Sequence, residues 1–313
     1  MKIALFITAT GKYNEFLPNL IRSADQFFMP GEEVVYIVFT DDINNKTVHT
    51  TRGIEFMKIE HKPFPEGSMY RAWYYAKYLQ NWWPLEGYTH CFAIDADAYF
   101  FSEITTEICW HELVAVAHSA YVDRTIDAPF ERNEDSNCYV KRSKHYVGGG
   151  FYGGKTNLFK MMCNLMFLYI QNDKLNGITP IWHDESALNK FVAVNSEIVH
   201  VLPPTYHYCE YEPGQLNPYM QQLWDEKAQF IENEWNIKAP FQPKIIFIDK
   251  NKNGKEQDYY RGNNEKITVE IKNQIPECKK KHQKYIGFLM EWLLHLIGME
   301  IKFLNCRGVI QKN

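Results

Sequence analysis

Two groups of carboxylates carry the chemistry this chain could do. The first is Trp182-His183-Asp184-Glu185, which follows Thr179-Pro180-Ile181 and runs into Ser186-Ala187-Leu188-Asn189-Lys190. An indole, an imidazole and two adjacent acids precede an apolar-periodic segment, more polar chemistry than a buried helix start requires. Asp184 and Glu185 suit a nucleophile or general acid/base of glycosyl chemistry, with Trp182 and His183 packing on and hydrogen-bonding a sugar. The same residues also read as a capped helix start whose acids complement the helix dipole. The second group, Asp95-Ala96-Asp97, ends the apolar run Cys91-Phe92-Ala93-Ile94 and precedes Ala98-Tyr99-Phe100. Carboxylates two residues apart on a strand project to the same side. They are hard oxygen ligands suited to Mn2+ or Mg2+, with waters and a diphosphate completing the shell. Such a metal neutralises charge on a leaving diphosphate. A pair of turn or cap aspartates is the alternative.

A third segment, Gly148-Gly149-Gly150-Phe151-Tyr152-Gly153-Gly154, holds five glycines in seven residues. It would let backbone approach a ligand closely. It equally suits a bulged strand and turn beside a helix N-terminus. The Lys155-Thr156 that follows has the wrong spacing for a phosphate loop.

The elements that would position these residues alternate. Residues 2–8 read as a buried strand punctuated by Gly11, and 15–28 have helical spacing. Residues 34–40 and 54–59 read as strands, 68–83 as a helix with Ser68 as N-cap, and 88–94 as a strand ending at the acidic triplet. Strand–helix alternation argues for an α/β fold with an open, mostly parallel sheet that binds ligands at its carboxyl edge. Residues 113–118 form a further strand. Residues 121–145 are polar and irregular, as in a long surface loop, and a helix runs from 157 to about 170. After Pro203-Pro204 the chain reads as loop-rich. The cationic run 278–284 precedes an apolar, Trp292-bearing amphipathic segment, 285–304, which suits a membrane interface or a helix docked on the domain or another subunit.

Composition narrows the classes. A 313-residue chain can bury a large core, and 20 Tyr, 20 Phe and 8 Trp suit a core plus a groove for a sugar-like ligand. A net charge of −4 excludes the global basic field of a nucleic-acid binder. Seven dispersed cysteines without a CxxC pair predict reduced, mostly buried thiols, as in the cytosol. No run of about 18 apolar residues predicts a membrane span. A glycoside hydrolase and a non-catalytic carbohydrate-binding module are the rival readings of the same acids and aromatics.

Taken in order, these segments resemble glycosyltransferase family 6, the retaining α-1,3-galactosyl- and N-acetylgalactosaminyltransferases. The resemblance is carried by Thr10-Gly11-Lys12-Tyr13, Ser23-Ala24 with Phe27-Phe28-Met29, Val38-Phe39-Thr40-Asp41, Ser68-Met69-Tyr70-Arg71, Asp95-Ala96-Asp97, Phe130-Glu131-Arg132, the glycine run, and Trp182-His183-Asp184-Glu185-Ser186 with Leu188-Asn189-Lys190. It spans roughly residues 3–252. It implies a GT-A-like nucleotide-sugar-binding domain over 1–255 and a C-terminal helical extension over 256–313. By resemblance, Thr8, Ala9, Thr10 and Tyr13 line the uridine pocket, and Arg71 faces the donor sugar and diphosphate. Asp95 and Asp97 hold Mn2+ (or Mg2+). Gly148, Gly149 and Gly150 occupy positions that discriminate galactose from N-acetylgalactosamine, and three glycines there favour the larger sugar. Asp184 bonds the donor sugar, and Glu185 is the catalytic residue, as nucleophile or as stabiliser of an oxocarbenium-like state. His118, Trp182 and His183 contact the acceptor, while Lys250 and Lys252 close over the diphosphate. The implied partners are a UDP-sugar and a galactoside acceptor, fucosylated and destined for a surface polysaccharide. Animal members carry an N-terminal anchor and stem, and this chain begins at the first strand. The expectation is therefore a cytoplasmic protein of the bacterial or viral type, meeting the inner membrane face peripherally through its C-terminal helix. Three departures stand out. Many bacterial relatives have Asn-x-Asn in place of Asp95-Ala96-Asp97, Ser119-Ala120 replaces the usual Pro-Gly, and Cys209 stands where an aspartate is expected.

Overall fold

The computed structural model describes residues 1–82, 87–210 and 217–248, all within the unit Met1–Lys252. The strands in chain order are β1 (Lys2–Thr8), β2 (Glu33–Thr40), β3 (Gly53–Lys58), β4 (His90–Asp95), β5 (Ala98–Phe100), β6 (Leu113–Ala117), β7 (Val147–Lys155), β8 (Val199–Leu202), β9 (Tyr208–Cys209) and β10 (Ile245–Phe247). The helices are α1 (Leu17–Phe27), α2 (Glu66–Trp82), α3 (Thr156–Leu175), α4 (His183–Val194), α5 (Pro218–Glu226) and α6 (Ala228–Trp235). Seven strands form the main sheet in the order β3-β2-β1-β4-β7-β6-β8. Six of them share one direction, and β7 runs against them between β4 and β6. A small second sheet has the order β5-β10-β9.

Continuous apolar runs such as Ile3-Ala4-Leu5-Phe6-Ile7 make central strands because both sheet faces are covered. On one face Phe6, Phe39, Ala93, Ala115 and Tyr152 pack against Tyr75 of α2, Phe159 and Met162 of α3, and Leu188 and Phe191 of α4. On the other face Leu5, Ile7, Val38, Phe92, Ile94 and Phe151 meet Leu20, Ile21 and Ala24 of α1, with Phe100 and Phe247 of the small sheet.

The glycine run is a strand, the second of its two sequence readings. Glycine is required in β7 by close approach: a Cβ on Gly153 would lie 2.4 Å from the Cys91 carbonyl oxygen of β4. One on Gly154, at φ +141°, would lie 2.4 Å from the Glu112 carbonyl. The register between β6 and β7 shifts between Ala115 and Val116, so the strand is bulged.

Several expectations are corrected. Ser68 is not a cap; α2 starts at Glu66, and the Ser68 hydroxyl donates to the Pro65 carbonyl at 3.0 Å. The stretch 121–145 is not a surface loop, because Val122, Ala128, Phe130, Cys138 and Val140 are buried. Its polar groups find internal partners instead. The fully buried Asp173 of α3 accepts from the Ser136 hydroxyl at 2.5 Å and from the Asn137 side chain at 2.8 Å. Buried Glu131 accepts from the backbone N–H of Asn133 and of Ile181, each at 2.8 Å. After Pro203-Pro204 the chain forms α5 and α6, anchored by the fully buried Trp224 against Tyr208 and Phe241. Lys250, Lys252, the boundary near residue 255 and the C-terminal amphipathic segment lie outside the described residues. Among the described residues no helix is long and apolar enough to cross a membrane.

Gly153→Ala should destabilise the fold by about 3 kcal/mol, because its methyl meets backbone rather than a mobile side chain. Gly149→Ala, whose Cβ would approach Arg71 and Glu185 side-chain atoms at 3.3 Å, should cost less. Urea unfolding of both variants checks the order; equal losses would mean that β7 shifts to accommodate either methyl.

Candidate active site

The carboxyl edge of the main sheet collects the two acidic groups. Thr8 of β1 is paired with Asp95 of β4, so the ends of these strands lie side by side. Because β7 is antiparallel, its start belongs to the same edge: Val147 pairs with Ala117, and Phe151 with Ile94. Helix α4 begins here too, with His183 as its first residue.

Arg71 of α2 joins the pieces. Its guanidinium forms ion pairs with Asp95 Oδ1 and Asp184 Oδ2 and donates to the Gly149 carbonyl at 2.8 Å. Burial works against its charge, but Asp184 and then Asp95 outweigh it and hold the cation protonated. Asp184 is buried, and desolvation pushes its carboxyl up to about 6 despite Arg71. A buried guanidinium with carboxylates on two sides is costly to form and costlier to leave half paired.

Glu185 lies next to this pair. Its two carboxylate oxygens accept from the Tyr146 hydroxyl at 2.5 Å and from the Gly149 N–H at 2.8 Å. Burial raises its pKa against the pull of those two donors. Burial, then Glu185, pushes the Tyr146 phenol far up, so it stays a donor. The start of α4 is fixed by its own residues. His183 adopts φ +54°, in the left-handed region, and Ser186 Oγ accepts from Trp182 N–H at 3.0 Å. Asn189 sews the helix to β7: its amide donates to the carbonyls of Val147 at 2.8 Å and Glu185 at 2.9 Å, and its oxygen accepts from Val147 N–H at 2.9 Å. Trp182 is 47% exposed at the rim, and His183 stands edge-on to Phe64 at 4.6 Å.

The remaining expected residues fall around this centre. His118 follows β6; its Nδ1 accepts from Ala120 N–H at 3.2 Å, and its ring lies 4.4 Å from His207. Desolvation pulls His118 down to about 4 and His207 to about 3, so both imidazoles are neutral. Thr8 Oγ1 meets the Tyr75 hydroxyl at 2.9 Å, and Thr10 Oγ1 meets His61 Nδ1 at 3.0 Å. Ala9 is buried, and Tyr13 packs half-buried on the α1 face. Gly11, at φ +55°, donates its N–H to Asp41 at 3.1 Å. Asp97 is buried in the turn between β4 and β5, and its carbonyl accepts from Ile248 N–H at 2.8 Å. The three glycines do not leave one open space. Only Gly149 faces Arg71 and Glu185; the room beside Gly148 is filled by the His207 ring and that beside Gly150 by the Phe247 ring.

Among the described residues no group of three or more His, Cys, Asp or Glu side chains is assembled to hold a metal. The donor set of Asp95 and Asp97 is two hard carboxylates on a strand-end turn. That suits a cation whose other ligands are water and phosphate oxygens. Sequence reasoning missed Tyr146, Asn189 and His207. Tyr146 lies two residues before Gly148 and Asn189 sits inside the α4 motif, whereas His207 carries no sequence signal.

Two outcomes follow from this geometry. The Asp184 side-chain carboxyl should titrate with a midpoint about 6 in the ligand-free protein, followed by carbon NMR. Since that value is raised above the ordinary 3.8, ionisation of Asp184 opposes folding, and its contribution to stability is lost as pH rises from 3.8 through about 6. Asn189→Ala strands the buried Val147 peptide groups and should cost about 2 kcal/mol, measured by denaturant unfolding.

The chain matches glycosyltransferase family 6 over residues 1–232. It is 27% identical over 219 residues to human globoside alpha-1,3-N-acetylgalactosaminyltransferase 1, covering 68% of this chain and 62% of that protein. It is 28% identical over 211 residues to rat histo-blood group ABO system transferase 1, covering 65% and 60%. Against the Escherichia coli O-antigen biosynthesis glycosyltransferase WbnI it is 27% identical over 205 residues, covering 64% and 85%. The chain thus spans less than two thirds of the length of these two animal relatives. The matched region contains both acidic groups, Arg71, the glycine strand and α4, and with 232 of 313 residues in the match the chain belongs to glycosyltransferase family 6.

Proposed function

We propose that this chain transfers N-acetylgalactosamine, or galactose, from UDP to the 3-hydroxyl of a galactoside in α-1,3 linkage with retention. The observation that carries the reading is the buried guanidinium of Arg71 between Asp95 and Asp184, with Glu185 held beside it by Tyr146 and Gly149. A nucleotide-sugar site needs a cation at the diphosphate, a hydrogen-bonding acid at the sugar and a carboxylate at the anomeric carbon. In this reading Thr8, Ala9, Thr10 and Tyr13 line the uridine pocket, and Arg71, held by Asp95 and Asp184, supplies positive charge beside the donor sugar and diphosphate. Asp95 and Asp97 hold Mn2+, which supplies positive charge against the leaving diphosphate. Asp184 orients the sugar, and Glu185 acts as nucleophile or stabilises the oxocarbenium-like state. Tyr146 keeps one Glu185 oxygen oriented; His118, Trp182 and His183 take the acceptor, which is fucosylated. Lys250 and Lys252 close over the diphosphate. N-acetylgalactosamine is preferred because Gly149 presents no side chain to the site, and the globoside relatives are named for that sugar. The chain works in the cytoplasm at the inner membrane face, a reading supported by the cationic run before residue 285.

The deciding assay incubates the whole chain with UDP-N-acetylgalactosamine or UDP-galactose, with and without Mn2+, against galactosides with and without fucose. Transfer that stops in EDTA and returns with Mn2+ is expected; full activity in chelator would remove the metal role of Asp95 and Asp97. Glycan cleavage without nucleotide would identify a hydrolase, and glycan binding without turnover a lectin-like module. Glu185→Gln should lower transfer by roughly a thousandfold while UDP affinity stays within about twofold. Unchanged turnover would take Glu185 out of the reaction.

A further inference from the structure

A cavity of about 610 Å3 opens between the 139–142 segment and the later turns of α4, lined by Tyr139, Val140, Lys141, Arg142, Lys190, Ala193 and Val194. Three of its lining side chains are cations and none is an acid. Among the described residues Lys141, Arg142 and Lys190 take part in no ion pair, whereas the neighbouring Lys144 is spent on Glu234 at 2.5 Å. The backbone of this wall is also covered by positive charge. Lys190 Nζ donates to the Tyr139 carbonyl at 3.0 Å, and Arg132 donates to the Val140 and Lys141 carbonyls at 2.7 and 3.2 Å. Arg132 is itself seated 5.1 Å over the Phe130 ring. Three consecutive carbonyls that would repel an anion are therefore capped. One Glu134 oxygen is taken by the Tyr139 hydroxyl at 3.2 Å.

We propose that this pocket binds a phosphate or diphosphate monoester, separately from the donor site. A single carboxylate would leave most of the three cations uncompensated; a diphosphate carries two to three charges and offers the paired oxygens that an Arg fork and ammonium groups bind best. Val140, Ala193 and Val194 give the carbon attached to the phosphate an apolar bed. The same head group can arrive free or on a lipid, and the two sources are separable by experiment.

The test uses the full chain saturated with UDP, so that the donor site is filled, and measures binding rather than transfer. The probes are inorganic pyrophosphate, by calorimetry, and phosphatidylcholine vesicles with or without phosphatidic acid, by flotation. Lys141→Glu/Arg142→Glu changes two exposed side chains and should leave thermal unfolding unchanged. It should weaken pyrophosphate binding about tenfold or more, while Lys144→Ala should not. Loss of vesicle binding alongside pyrophosphate binding assigns a lipid head group. Loss of pyrophosphate binding alone assigns a soluble phosphate. Equal binding by the charge-reversed and unaltered chains, or no binding of either probe, overturns the proposal.

Discussion

One buried guanidinium holds the site together. Arg71 comes from α2, Asp95 from the end of β4, Asp184 from the start of α4 and the Gly149 carbonyl from β7. Desolvating a cation is tolerable only when acids of opposite sign accompany it, and here the acids arrive from separate segments. The ion pairs therefore fix the relative positions of three elements that no short stretch of chain could fix. The balance is not neutral: Asp95 and Asp184 pair with a single Arg71, and Glu185 adds a third acid beside Asp184. Burial lifts the Asp184 carboxyl to about 6 and raises that of Glu185, because both are desolvated among neighbouring acids. The excess negative charge is what a cationic or metal-bound ligand would relieve.

Much of this was legible in the sequence. Unbroken apolar runs mark β1, β2 and β4, and the end of the β4 run places Asp95 at the carboxyl edge from sequence alone. The start of α4 was visible because Trp182-His183-Asp184-Glu185 is too polar for a plain helix start. What was not legible depends on contacts distant in sequence. Polar composition at 121–145 suggested solvent, but Asp173, a single acid 37 residues from Ser136, internalises that stretch. The glycine run suggested open space, yet His207 and Phe247 fill two of its three gaps from other elements. Helices α5 and α6 were hidden by the prolines and polar residues around them, and Trp224 of α5 and Ile231 of α6, both fully buried in one cluster, explain their place. Periodicity reports one face of one element; it says nothing about which side chain from elsewhere will occupy a vacancy.

The acids that look structural and those that look catalytic work in series. Glu131 binds the Ile181 N–H directly upstream of Trp182, so the internalised 121–145 stretch sets the approach to α4. Asn189 sets its far side by imitating a ladder partner for Val147. Between these two clamps, His183 is held at φ +54°, a conformation a non-glycine residue keeps only when its surroundings impose it.

Gly149 carries a further consequence. Its N–H serves Glu185 and its carbonyl serves Arg71, both from one residue at a place where β7 has slipped its register with β6. The two halves of the site are therefore not modular. A displacement of the strand that suits one partner disturbs the other, so the energetic effects of altering Arg71 and Glu185 do not add. The seam in the sheet makes the Arg71 ion-pair cluster and the Glu185 carboxylate a single mechanical unit, and a shift on one side has to be accommodated on the other.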